Sequence, residues 1–198
     1  MKELKNDIKI INNFLPQSFA DSLESALSTK PIWLYTPHTS NPQETKIDMS
    51  DKNIHETTQF VHPIFMDGTI ESEMYESMKT FLFFVEDKFN INLKTLFRIK
   101  ANLLLPNGLK NPDLYHIPHI DDGDLSSYSI LYYVNDSDGD TVFFDKTVEY
   151  GPYNLKPIHR ETPKKNTVIL FPSKRFHSSS NPITSDKRIV INTVVQIK

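Results

Sequence analysis

The sequence predicts a mostly β chain led by helices, an α+β arrangement in which a β-sandwich or jelly roll is buttressed by N-terminal helices. Three observations predict it. Two stretches in the first half carry apolar residues at helical spacing. Half a dozen short runs after Lys94 are rich in β-branched and aromatic residues. And 13 Pro against 5 Gly suits short strands joined by stiff loops.

Taken in order, residues 5–15, KNDIKIINNFL, read as a short strand and a turn. Pro16 opens a helix, PQSFADSLESALST, with Phe19, Leu23, Ala26 and Leu27 on one face. IWLYT (32–36) is strand-like. Residues 37–69 are polar, contain Pro and lack a period, and a connection that long covers something or moves. From Glu71 to Phe89, the positions Met74, Met78, Phe81, Leu82, Val85 and Phe89 keep the 3.6-residue period of an amphipathic helix. The β-type runs follow: LFRIKANLLL (96–105), YHIPHI (115–120), SYSILYYV (127–134), TVFF (141–144), NTVILF (166–171) and RIVINTVVQI (188–197). Turn-forming stretches such as PNGLKNPD and NDSDGD separate them. No linker divides the halves. The expectation is one domain over 1–198, with 1–95 as helical and strand support and 96–198 as the β core.

Composition narrows the function. A net charge of −3 and a pI near 6.2 give no reason to expect nucleic acid or an anionic membrane as partner. No apolar run is long enough to span a bilayer, and MKELKNDIKIINNF lacks the apolar stretch of a signal peptide. Zero cysteines excludes disulfides, thiolate metal sites and cysteine nucleophiles, and makes a cytoplasmic protein the expectation.

The chemistry concentrates in YHIPHIDDGD (115–124). His119 and Asp121 are two apart, and on a strand that spacing projects both side chains to one face, where they can share an ion. The triplet alone says little: with 7 His and 25 Asp+Glu in 198 residues, chance supplies about one His-x-acid triplet. A second, His159-Arg160-Glu161, lies between Pro157 and Pro163 without apolar alternation and reads as a solvated loop. What separates the first is its company. His177 follows the strand NTVILF, and a 2-His-1-carboxylate set leaves coordination positions open. Eleven residues later Arg188 opens the last strand, so that histidine and arginine are expected on neighbouring strands facing one cavity. Its planar fork suits a carboxylate. Fe²⁺ with Asp121 and Arg188 leaves two positive charges, which a dianionic dicarboxylate neutralises. His116 is out of phase with the ligand face and reads as a support or a solvent-exposed residue. DSDGD (136–140) imitates a calcium loop, but its glycine comes fourth, and a hairpin turn between two strands explains it better.

In YHIPHIDD, SILYYVNDSDGDTVFF, PKKNTVILFPSKRFH and KRIVINTVV the chain resembles the 2-oxoglutarate/Fe(II)-dependent dioxygenases, and among them the prolyl 4-hydroxylase-like branch. The resemblance covers roughly residues 96–198. It implies a double-stranded β-helix (jelly roll) with the metal at its open end. By position, it implies His119, Asp121 and His177 as iron ligands. It implies Arg188 as the clamp on the far carboxylate of 2-oxoglutarate and Tyr133 as a hydrogen-bond donor to that same carboxylate. Tyr115 is implied as a further cosubstrate contact. For Tyr133 the residues alone also allow a core aromatic with its hydroxyl at the rim. Asn192 shares a face with Arg188 and lines the pocket or makes a structural hydrogen bond. The implied cofactors are Fe(II), 2-oxoglutarate as cosubstrate, O2, and ascorbate as reductant. The implied reaction couples decarboxylation of 2-oxoglutarate to succinate with hydroxylation of a C–H bond. Asp121 argues against halogenation, since the related halogenases vacate that ligand for chloride. The substrate is a peptidyl proline or a small molecule, with 37–69 and 145–165 as walls and lid.

The sequence departs from the family pattern in three places. Asn166 stands where a glycine is usual, and asparagine tolerates the left-handed conformation. NDSDGDT has one glycine where many members have two. Val194 replaces an aromatic residue of some prolyl hydroxylases, which bears on proline specificity. The rival classes are a cupin-like metal-binding jelly roll without oxygenase activity, which has no use for Arg188, and a structural module without metal.

Overall fold

The computed structural model describes residues 2–4, 8–40, 47–124, 126–147 and 154–198. Its elements are β1 (Lys2–Leu4), β2 (Ile8–Asn12), α1 (Gln17–Thr29), β3 (Leu34–Thr36), β4 (Gln59–Met66), β5 (Thr69–Ile70), α2 (Tyr75–Phe89), β6 (Leu93–Leu104), β7 (Ser127–Tyr133), β8 (Thr141–Thr147), β9 (Pro157–Glu161), β10 (Thr167–Pro172), β11 (Arg175–Ser179) and β12 (Arg188–Ile197). The strands form two antiparallel sheets, the two layers of a jelly roll. The larger runs β1-β2-β10-β7-β12-β6-β4-β3, with β5 on β4, and the smaller runs β11-β8-β9.

Alternation along the strands sorts the side chains into two clusters on opposite faces of the large sheet. Outside, Ile99, Ala101, Ile130, Tyr132, Val168, Leu170, Ile189 and Ile191 meet the apolar stripes of the helices, Leu23 and Leu27 from α1 and Met78, Phe81, Val85 and Phe89 from α2. Phe81 meets Phe14 and Tyr132 edge to face, with centroids 5.7 and 5.5 Å away. Inside, Ile8, Ile10, Leu131, Tyr133, Ile169, Phe171 and Val190 pack on Phe143 of the small sheet. Strand β12 is buried along most of its length because helices cover one face and the second sheet the other. Among the described residues no helix is long and apolar enough to cross a membrane.

Asn166 has φ 64° and fastens the helical layer to the core: its Nδ2 donates to the Leu15 carbonyl at 2.9 Å, and its Oδ1 accepts from the Leu15 amide at 2.8 Å.

The structure corrects several expectations. Residues 59–66, expected to be loop, form β4. Pro63 is accommodated because the register against β6 shifts between Pro63 and Phe65. Residues 115–120 are not a strand: they make two isolated bridges, Ile54 with Tyr115 and His119 with His177. His159-Arg160-Glu161 is not a loop but part of β9, made a strand by its pairing to β8. NDSDGD is not a hairpin turn, since β7 and β8 belong to different sheets and the segment crosses between them. Arg188 and His177 are not on neighbouring strands, because β11 intervenes as a strand of the small sheet, whereas β12 is central in the large one. Of the expected lid segments, 41–46 and 148–153 lie outside the described residues.

Candidate metal centre

His119 and His177 are brought together by a single rung of antiparallel pairing. The His119 amide donates to the His177 carbonyl at 2.9 Å, and the His177 amide donates back at 3.0 Å. Such a doubly bonded pair places the two side chains on one face. The ring centroids are 4.6 Å apart. Two residues on, the Asp121 amide is held by the Ser173 carbonyl at 3.0 Å. One ligand atom from each of His119, Asp121 and His177 falls within 4.8 Å of the others. Spacing by two therefore works without a strand: a rung at His119 and an anchor at Asp121 suffice.

The donor set fits a divalent transition metal. Each imidazole has its Nδ1 against a backbone carbonyl, Ile117 at 3.3 Å for His119 and Arg175 at 3.0 Å for His177. That contact fixes Nδ1 as the protonated nitrogen and leaves the Nε2 lone pair to a metal. Burial, with the neighbouring His177, pushes the His119 pKa down to about 3, so the ring stays neutral as a ligand must. Asp121 behaves oppositely. Burial alone would raise its pKa, but His177, Arg98, His119 and the Ser129 hydroxyl outweigh it and hold the carboxyl well below the usual range. Its Oδ1 accepts from Arg98 Nη2 at 2.7 Å, and its Oδ2 from Ser129 Oγ at 2.7 Å and Asn192 Nδ2 at 3.0 Å. A carboxylate offers about four lone-pair sites, so three donors leave one for a metal.

The second half of the site lies where β12, β7 and β8 meet. Asn192 and Arg188 share a face of β12, which sets Arg188 on the same inner side as Asp121's partner. The Arg188 side chain is buried, 3% exposed. Its Nε donates to the Gly139 carbonyl at 2.7 Å and its Nη2 to Thr141 Oγ1 at 2.8 Å. Its guanidinium lies 5.9 Å from the Tyr133 ring centroid. Two of five N–H donors are spent on the protein, and the planar fork keeps the rest. Tyr133, fully buried, donates to the same Thr141 oxygen at 2.7 Å. With both lone pairs of Oγ1 taken, the Thr141 hydroxyl hydrogen is left to point elsewhere.

The other expected residues fall as follows. Tyr115 lies in a different cluster, with Val142, Phe144, Leu155 and Phe176, and its hydroxyl donates to Asp51. The structure does not bring it to Arg188 and Tyr133. His116 is buried, not solvent-exposed: Nδ1 pairs with Ser179 Oγ at 3.0 Å and Nε2 with Asn181 Oδ1 at 2.8 Å. Burial pushes its pKa down to about 4. Asn192 makes a structural hydrogen bond to the Asp121 carboxylate. His159 and Glu161 pair with each other at 2.8 Å. Asp138, in the crossing segment, caps the loop ahead of β12 through the amides of Ile183, Thr184 and Ser185 at 3.0, 2.7 and 3.2 Å.

Sequence reasoning missed Arg98, Ser129, Thr141 and Gly139. The one available signal was the alternation RIKAN (98–102), which puts Arg98, Lys100 and Asn102 on one side of a strand.

The fold is a jelly roll that carries a His/Asp/His cluster and a buried arginine, and it is similar to the fold of solved 2-oxoglutarate/Fe(II) oxygenases. A 2OG-Fe(II) oxygenase family oxidoreductase from Burkholderia pseudomallei matches with a TM-score of 0.65 at 13% identity, over 97% of this chain and 86% of its own. A Trichoplax adhaerens prolyl hydroxylase, in complex with a hypoxia inducible factor oxygen degradation domain peptide fragment, matches with 0.58 at 18% identity, over 97% and 84%. The epimerase SnoN, in complex with Fe3+, alpha ketoglutarate and nogalamycin RO, matches with 0.60 at 12%, over 96% and 78%. No family model matches the sequence, and no curated protein does. At these identities the likeness is one of fold.

Proposed function

We propose that this chain is an Fe(II)- and 2-oxoglutarate-dependent dioxygenase, a hydroxylase with the prolyl 4-hydroxylase type of core. The observation that carries the reading is the conjunction of a convergent N,N,O donor set with a buried arginine whose fork is only partly used. His119, Asp121 and His177 would hold the metal and leave positions open for cosubstrate and O2. Bound together, Fe(II), 2-oxoglutarate and O2 supply an oxidant strong enough for an unactivated C–H bond, with succinate and CO2 as co-products.

The chain's own part is positioning and shielding. Arg188 and the free hydrogen of Thr141 take the distal carboxylate of 2-oxoglutarate. Tyr133 fixes Thr141, and burial, only partly offset by Arg188, raises its pKa, so its phenol stays protonated as a donor. Phe143 and Phe171, at 6.4 and 4.9 Å from the His177 ring, keep water from the ligand's back. Arg98, Ser129 and Asn192 keep Asp121 ionised and oriented. A cupin-like metal protein would need the histidines but leave Arg188 buried without purpose, which disfavours that reading.

Anaerobic visible absorption tests it. Fe(II) and 2-oxoglutarate added together are expected to give a charge-transfer band that neither gives alone and that weakens in Arg188→Ala and Asp121→Ala. Iron bound with no band on adding 2-oxoglutarate would refute the dioxygenase reading.

A further inference from the structure

Strand β6 turns a polar row toward the metal centre. Arg98, Lys100 and Asn102 alternate with Ile99 and Ala101, which pack under the helices. Against β12 the register is unbroken across this stretch, with Val194 opposite Arg98, Asn192 opposite Lys100 and Val190 opposite Asn102. Directly opposed residues share a face. The row therefore faces inward beside Asn192, the partner of Asp121.

Each member of the row has a polar group without a partner among the described residues. Arg98 uses Nη2 on Asp121 and Asn192, yet its Nε is buried and unbonded. The Asn102 Oδ1 is buried and unbonded. Lys100 makes no hydrogen bond or ion pair, although it couples electrostatically to Arg98, Asp121 and His119. Burial, with the like charge of Arg98, pushes its pKa down to about 8. Buried polar groups in native proteins are nearly always satisfied, so the Arg98 Nε and the Asn102 Oδ1, both buried and unbonded on either side of a half-buried Lys100, call for a missing partner.

Charge says what kind. Fe(II), Asp121, Arg188 and 2-oxoglutarate sum to neutral, and the structure adds Arg98 and Lys100, leaving two positive charges in excess. Asp121 cannot serve Lys100 as well, since three protein donors and the metal fill it. A half-buried, inward-facing ammonium with no protein partner is a ready site for an anion.

We propose that this row recognises the molecule to be oxidised, with Lys100 binding a carboxylate on it and Asn102 accepting a hydrogen bond from an adjacent N–H or O–H. The inference rests on the dioxygenase reading and narrows its substrate to a carboxylate-bearing one. The carboxylate can be the free end of a small acid or the side chain of an acidic residue.

The test uses the full chain loaded with Mn(II) and 2-oxoglutarate, which is inert to turnover, and reads binding near the metal by paramagnetic relaxation of probe protons. Two matched pairs serve: N-acetyl-L-proline against its amide for a free carboxylate, and N-acetyl-aspartate amide against N-acetyl-asparagine amide for an acidic side chain. In at least one pair the acid is expected to bind about tenfold or more tightly than the amide. Lys100→Met is expected to erase that preference and Lys100→Arg to keep it. Lys100→Met should change 2-oxoglutarate affinity by no more than about twofold. Equal binding of acid and amide in the native chain, or a preference that survives Lys100→Met, would overturn the proposal. So would a large loss of 2-oxoglutarate affinity in Lys100→Met, which would assign Lys100 to the cosubstrate. These results leave the dioxygenase reading intact, whereas a native chain that binds neither Mn(II) nor 2-oxoglutarate refutes both.

Discussion

Replacing Gly139 by alanine isolates how Arg188, the proposed carboxylate clamp, is held. A Cβ at this position would lie 2.5 Å from the Ser180 carbonyl oxygen, 2.9 Å from the Pro182 nitrogen and 3.0 Å from Arg188 Cδ. The first two are backbone atoms, and the third belongs to the arginine whose Nε is bonded to the Gly139 carbonyl at 2.7 Å. Nothing in that set is the free end of a flexible side chain, so the methyl must push the turn or the arginine aside. Overpacking of this kind costs about 1–3 kcal/mol. For a chain of this size that corresponds to a melting temperature lower by roughly 2–12 °C. The functional loss is separable. A hydrogen bond from a charged group is worth about 1.5–3 kcal/mol, so misplacing Arg188 should weaken 2-oxoglutarate binding by roughly ten- to 150-fold. Metal affinity should hold, because Asp121 is positioned by Ser173, Arg98, Ser129 and Asn192, none of which touches Gly139. Differential scanning fluorimetry gives the first quantity, anaerobic titration of the Fe(II) protein with 2-oxoglutarate the second. A Gly139→Ala protein with native melting temperature and native 2-oxoglutarate affinity would show that the crossing segment does not set the arginine.

Three other outcomes follow from the same geometry. Arg98→Met removes a charged donor from the ligand carboxylate and should weaken metal binding by about 10- to 100-fold, measured by competition with a chelator, while Ser129 and Asn192 keep the fold. Acid should destabilise the protein through His116: its folded pKa lies near 4 against an ordinary 6.5, so the neutral ring's stabilisation is complete above pH 6.5 and is lost as pH falls toward 4. The full effect is about 3 kcal/mol, of which about 2 is lost by pH 5; urea unfolding at pH 7.5 and pH 5 reads that part, and the loss should shrink in His116→Asn. Phe81→Ala opens the helix–sheet core beside Phe14 and Tyr132 and should cost about 3–5 kcal/mol in thermal unfolding, with the metal affinity of the folded fraction unchanged.

Where structure followed local chemistry, the sequence could be read. The period of 71–89 produced α2, and the β-branched runs at 127–134, 166–171 and 188–197 produced β7, β10 and β12, because each signal is internal to its segment. Strands with a non-local cause were invisible. PIHRE has no apolar alternation and is a strand only because β8 lies beside it, with Thr141 opposite Glu161 and Phe143 opposite His159. QFVHPIFM contains a proline and a histidine that argue against a strand; a bulge absorbs Pro63, while Ser72 Oγ and the Ile32 carbonyl satisfy His62 at 2.9 and 3.1 Å. The error at 115–120 ran the other way. Its residues look like a strand, but the ladder there is limited to isolated rungs.

The candidate metal ligands His119, Asp121 and His177 could be picked out because their order along the chain carried the information, and the structure brings them together, whereas the cationic row could not. In an isolated strand, RIKAN reads as an ordinary amphipathic edge, apolar side in and polar side to water. The fold inverts that rule. Helices α1 and α2 claim Ile99 and Ala101 from outside, so the polar side faces the second sheet and the metal centre. Turning charge inward is unfavourable unless something meets it. For Arg98 the answer is within the chain, at Asp121, 2.7 Å away. Lys100 and Asn102 find nothing among the described residues. Lys100 and Asn102 obey the local alternation of β6 and are turned inward by the fold, and the proposed substrate carboxylate is the partner that this placement would suit.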